Sequence, residues 1–169
     1  MKYFLSVIFL GLLFLNDSEA QKLNEYTAAN KITYMIGDTL TLGVGSSCDG
    51  FFTSINSSIG TTLLMNIAVE QDYDPRLPSG FEGSMVQILK IRKQDNKILF
   101  TFSTEDLGNF VVDIEAAIKT CEVAYCQTEG FLTQQQFEKL VLLYHACSSG
   151  TITSNKFDEL RFEMINGVP

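Results

Sequence analysis

The chain has no tryptophan, a single histidine and three prolines, and its 12 lysines and arginines are outnumbered by 20 aspartates and glutamates. Each shortage narrows the field. With His145 alone, a histidine-based triad or metal cluster has one residue to draw on, and neither a Gly-x-Ser-x-Gly elbow nor a His-Glu-x-x-His motif is present. His145 has no acid beside it in sequence and falls at the end of a helix-patterned stretch, a favourable place for a polar or cationic ring. The formal charge of −8 argues against nucleic acid, which wants a basic stripe. One basic cluster exists, Lys90, Arg92, Lys93 and Lys97, and it surrounds a turn, so it reads as a solvated hairpin end.

Long apolar runs are scarce as well. The longest, residues 3–15, is too short to span a bilayer comfortably; Lys2 precedes it, and Ser18, Glu19 and Ala20 follow where a signal peptidase needs small residues. Residues 1–20 are therefore expected to be a cleaved export signal and 21–169 one secreted domain, with no integral membrane span in the mature chain.

Four cysteines, Cys48, Cys121, Cys126 and Cys147, read in an exported chain as two disulfides. Three connectivities are open. In each of them Cys48, in the strand-patterned half, bonds to a cysteine of the helical half and ties the two together. Cys121, Cys126, His145 and Cys147 also have the residue types of a Cys3His zinc site, but an oxidising compartment works against free thiolates, so no metal and no cofactor is expected.

Hydrophobic period divides the chain. Ile32, Tyr34 and Ile36 alternate, as do Leu40, Leu42 and Val44, then Leu63, Met65, Ile67 and Val69, then Ile98, Phe100 and Phe102, with turn signals between them, one at residues 56–60. Residues 85–92 and 97–102 flank a short polar loop and predict an antiparallel hairpin. After Phe102 the spacing lengthens to three and four: Leu107, Val111, Ile114, Ile118 and Cys121 predict one helix, and two more follow. The expected fold is α+β, an antiparallel sheet over about 32–103 followed by three helices, about 106–124, 133–147 and 153–165, packed on it.

One phrase is written twice. Gly130, Thr133 and Phe137 in the first copy correspond to Gly150, Thr153 and Phe157 in the second: a turn glycine, an N-cap threonine and a buried aromatic one turn on. Leu132 with Phe137, and Ile152 with Phe157, have the spacing of a hydrophobic staple, and Thr133 with Gln136 spells a capping box. Residues 132–166 also resemble the helix, loop and helix of a calmodulin-type EF-hand, with Gly150 and Ile152 at its sixth and eighth loop positions. Where that family places oxygen ligands, this chain has His145, Cys147, Ser149 and Lys156, so the resemblance implies a helix–loop–helix without calcium.

Three smaller motifs remain. Gly43, Val44, Gly45, Ser46, Ser47, Cys48 is a near miss to the dinucleotide fingerprint, with Cys for the third glycine, and reads as a turn. Asp72, Tyr73, Asp74, with Pro75 and Pro78 behind it, reads as a solvated loop. Asn56, Ser57, Ser58 is a glycosylation sequon, and a glycan at Asn56 is expected in a eukaryotic secretory pathway.

Export, crosslinks and the want of a catalytic motif point first to a non-catalytic binding or effector protein whose partner is an extracellular protein. A second expectation is a carrier of a small apolar molecule, with a pocket from Phe51, Phe52, Met65, Met85, Phe100 and Phe102. A third is a hydrolase using two carboxylates, which needs no short motif.

Overall fold

The computed structural model describes residues 20–69, 73–126 and 133–166. Residues 1–19 of the expected export signal, together with Asp72, Gly130 and Leu132, lie outside them. In chain order the elements are β1 Gln21–Leu23, β2 Glu25–Thr27, β3 Thr33–Met35, β4 Thr39–Thr41, β5 Phe52–Ser57, α1 Ile59–Val69, β6 Arg76–Leu77, β7 Met85–Gln87, β8 Lys90–Gln94, β9 Lys97–Thr104, β10 Gly108–Asp113, α2 Ile114–Lys119, α3 Gln134–Ser148 and α4 Ser154–Asn166. The fold is α+β.

Six strands form one sheet in the order β1-β8-β9-β10-β5-β6, with every neighbouring pair antiparallel; β2 with β3, and β4 with β7, make two short ribbons. The expected hairpin is β8 and β9, paired from Lys90 opposite Thr101 to Gln94 opposite Lys97. Side chains alternate across the sheet, and one face carries Ile55, Ile91, Phe100, Phe102, Phe110 and Val112, all at 1% exposure or less. Helix α2 adds Ile114, Ala117 and Ile118 to this cluster. Fully burying a phenylalanine stabilises by about 1.5–3 kcal/mol, and Phe52, Phe100, Phe102 and Phe110 all reach that limit. The other sheet face carries polar and charged residues, among them Lys22, Lys90, Arg92, Thr101 and Asn56.

Two sequence expectations are corrected. The stretch from Leu63 to Val69 is not a strand: it belongs to α1, because Leu64 and Ala68 fill the gaps in the alternation and Ser58 caps a helix, its Oγ accepting from Thr61 N at 3.3 Å. The turn expected at 56–60 is accordingly the end of β5 and the start of α1. The helix expected over 106–124 is divided between a strand, Gly108–Asp113, and a shorter helix, Ile114–Lys119. Phe110 and Val112 alternate in β10, with Val111 on the opposite face, and the helix begins only after Asp113, whose Oδ1 accepts from Ala116 N at 3.4 Å.

The last two helices start where the repeated phrase predicts. Thr133 and Gln136 form a reciprocal capping box, and Thr153 Oγ1 accepts from Lys156 N at 3.3 Å. Ile152 and Phe157 share a cluster with Leu143, Leu160 and the Cys48–Cys147 bridge. Helices α3 and α4 pack on each other and, through Leu140, on Val44 and Cys121, so they clamp the connecting segments, whereas α2 covers the sheet. The intervening loop is short, and His145 and Cys147 lie in the last turns of α3.

Candidate functional site

Residues 43–46 leave β4 and thread between two other stretches of backbone. Gly43 N donates to Glu122 O at 2.8 Å and Val44 N to Cys121 O at 3.1 Å. A Cβ on Gly43 would lie 2.1 Å from Cys121 O, and one on Gly45 would lie 1.8 Å from Gly50 O. These glycines are required by close backbone approach, here to protein rather than to a pyrophosphate.

Two charged side chains end on this segment, and both are buried. Glu122 is 0% exposed. Its Oε1 accepts from Ser46 Oγ, from Thr53 N at 2.5 Å and from Thr53 Oγ1 at 3.0 Å, and its Oε2 accepts from Ser54 N at 2.7 Å. Arg161, on α4, donates to Gly45 O and Val44 O at 3.1 Å each and to Thr120 O. Burial pulls its guanidinium down to about 10, against the opposing pull of Glu122 and Asp158, so it stays charged at neutral pH. The buried carboxylate and guanidinium each order backbone, and a carboxylate so fully occupied by donors is suited to fixing chain rather than to shuttling protons.

The disulfides bracket this network. Cys121–Cys126 closes the loop that carries Glu122, and Cys48–Cys147 joins the sheet half to α3. All four thiols are thereby consumed, which leaves none for zinc. Cys121 has φ 50° and follows the C-cap Thr120 of α2 in the left-handed position usually held by glycine; Glu122 N returns to Ala117 O at 2.9 Å.

Two clefts open nearby. One, of about 640 Å³, is lined by Ser46, Thr53, Asp49, Asp158 and the Cys48–Cys147 bridge, so Glu122 already engages two of its hydroxyls. The other, of about 430 Å³, is lined by Ile32, Tyr34, Asp38, Thr39, Leu40 and Tyr125. Behind it the buried Asn30 amide donates to Tyr34 OH at 2.9 Å and to Tyr125 O at 2.6 Å, and burial pushes the Tyr34 phenol up.

Beside the first cleft, Arg76 reaches Asp74 at 2.7 Å and Asp49 at 3.2 Å, and its guanidinium lies 4.7 Å from the centre of the Phe51 ring. Hydrogen bonds from Arg76 hold the Asp74 carboxyl below its usual range. Partial burial pushes Asp49 up, but Ser47, the Phe51 amide and Arg76 together outweigh it.

The residues named for an apolar pocket are distributed. Phe52, Phe100 and Phe102 meet in the main core, Phe51 is half-buried under Arg76, Met85 is 75% exposed, and the Met65 side chain lies outside what is described. Asn56 sits half-buried in β5 between Val111 and Arg76, in a strand rather than the expected loop. His145 is exposed, its ring 4.1 Å from that of Tyr144. Asp74 is held by Arg76.

Sequence reading missed Glu122 and Arg161. A sign of the second was present: Phe157, Arg161 and Met164 share one helical stripe, and a charge on an apolar stripe asks for a buried partner. It also missed α1, which carries no charged residue and leaves Ile59, Leu63 and Leu64 at 89%, 61% and 69% exposure. Among the described residues no helix is long and apolar enough to cross a membrane. No family model matches the chain, and no curated protein and no solved structure matches it significantly.

Proposed function

We propose that this chain is an exported, disulfide-stabilised, non-catalytic binding protein that works through its surface, with α1 as a contact element. The observation that carries the reading is the uncharged helix with Ile59, Leu63 and Leu64 turned outward. Such surface is disfavoured in water unless something covers it in use. The saturated state of Glu122 supports a non-catalytic reading, because the most deeply buried acid serves the backbone. The α3–α4 hairpin fits the same reading as a ligand-less helix–loop–helix whose task is to hold Arg161 and Cys147 in place.

The test compares wild type with Leu63→Gln/Leu64→Gln. Wild type should bind a hydrophobic fluorescent dye in its native state and the variant should lose most of that signal, while thermal unfolding stays within about 1 kcal/mol of wild type. Equal dye binding, or a variant that melts far lower, would mean that these side chains are structural.

A further inference from the structure

We propose that the polar face of the six-stranded sheet carries an oxyanion site, formed by Lys22, Lys90, Arg92 and Thr101 and taking a phosphate or sulfate group. Register places the four together. Lys22 of β1 is directly opposite Arg92 of β8, and Lys90 of β8 is directly opposite Thr101 of β9. Directly opposed residues share a face, and so do residues two apart in one strand, so all four project on the side away from the phenylalanine core.

Like charges placed opposite one another repel. Here Lys22 and Arg92 are so placed, with Lys90 on the same face, and among the described residues none of the three makes an ion pair. The carboxylate these strands offer on this face is Asp113, which Lys97 engages at 3.4 Å. Two buried polar atoms in the same group have no hydrogen-bond partner: Arg92 Nε and Thr101 Oγ1, the latter on a residue only 9% exposed. Two exposed lysines, an unpartnered N–H of the half-buried Arg92 guanidinium and the unpartnered hydroxyl of the buried Thr101, all on one face, match an acceptor with several oxygens and a negative charge. A tetrahedral oxyanion meets that description: the guanidinium supplies directed N–H groups, the threonine one O–H, and the lysines charge. Because the whole chain is acidic, the attraction is local to this patch rather than a property of the net field.

The probes are sodium sulfate and sodium phosphate, titrated into the full disulfide-bonded chain with chloride replaced to hold ionic strength constant, and followed by calorimetry and thermal unfolding. Wild type should show saturable binding. Thr101→Val keeps the side-chain shape and removes the buried hydroxyl, so it should fold at least as stably in chloride yet bind sulfate several-fold more weakly. Arg92→Gln/Lys90→Gln should weaken binding about tenfold or more, as expected for losing hydrogen bonds to a charged group. If the inorganic ions fail but a sulfated monosaccharide binds with the same sensitivity to both variants, the oxyanion belongs to a larger ligand and the site stands. A stabilisation that rises without saturating is the general salting effect of sulfate. That result, or variants that bind as wild type does, would overturn the proposal.

Discussion

Glu122 and Arg161 hold the same stretch of chain by complementary chemistry: the carboxylate accepts from Ser46, and the guanidinium donates to the carbonyls of Val44 and Gly45. Neither residue is an ornament on a finished fold. Glu122 also fixes the start of β5 at Thr53 and Ser54, and Arg161 reaches the end of α2 at Thr120, so sheet, helix hairpin and connecting loop meet at this pair.

Arg161→Met should therefore be severe. It leaves three carbonyls without their donor and Glu122 without its nearby positive charge, a loss expected to cost about 3–5 kcal/mol. Glu122→Gln should also be damaging, because its single amide oxygen can serve only one of the two sides and the N–H₂ turned to the other cannot accept from the Thr53 or Ser54 N–H there. Urea unfolding of both single variants and the double variant should show the double losing less than the sum. Strict additivity would mean that the two groups act independently.

Gly45→Ala and Gly60→Ala make a matched contrast. The first puts a Cβ 1.8 Å from a carbonyl oxygen and should destabilise by about 3 kcal/mol or prevent folding; the second adds a Cβ in α1 with nothing within 4 Å and should be neutral or stabilising by up to about 1 kcal/mol. Similar effects at both sites, measured by thermal unfolding, would contradict the threading of residues 43–46.

The two disulfides should differ in worth. Cys48–Cys147 spans 99 residues and Cys121–Cys126 spans 5, so loop-closure entropy assigns the first about 4–5 kcal/mol and the second about 2 kcal/mol. Serine replacement of each pair, followed by denaturant unfolding, checks the order. A larger loss from the short bridge would show that its role in ordering Glu122 outweighs chain entropy.

Much of the fold was legible where the signal is local. The Thr133 and Gln136 side chains name their own capping box, and the polar loop between β8 and β9 sets a hairpin. Residues 107–121 misled because Leu107, Val111, Ile114 and Ile118 fit a helical period while Phe110, Val112 and Ile114 fit a strand period. Pairing with β9 and β5 settled the choice, and that is a long-range fact. Glu122 was illegible for the same reason. Its donors lie at Ser46, Thr53 and Ser54, about seventy residues earlier, and no local pattern announces them.

Acid should expose the Arg76 cluster. Asp49 and Asp74 are held below their ordinary value of 3.8, so their contribution is present above that pH and is lost as pH falls through the lower folded-state values. Both carboxylates are substantially solvent-exposed, which limits each pair to about 0.2–1 kcal/mol. Wild type should lose stability below about pH 4 more steeply than Arg76→Leu; parallel curves from urea unfolding at several pH values would remove the cluster from the stability of the fold.

The most direct measurement is native mass spectrometry of the chain recovered from a secreting eukaryotic cell without delipidation, repeated after denaturation and reduction. A non-catalytic surface binder should appear as a processed polypeptide with the mass deficit of two disulfides and no small apolar molecule, and the same spectra report whether Asn56 is glycosylated. A small apolar molecule that travels with the native ion and leaves on denaturation would contradict that reading and make the chain a carrier.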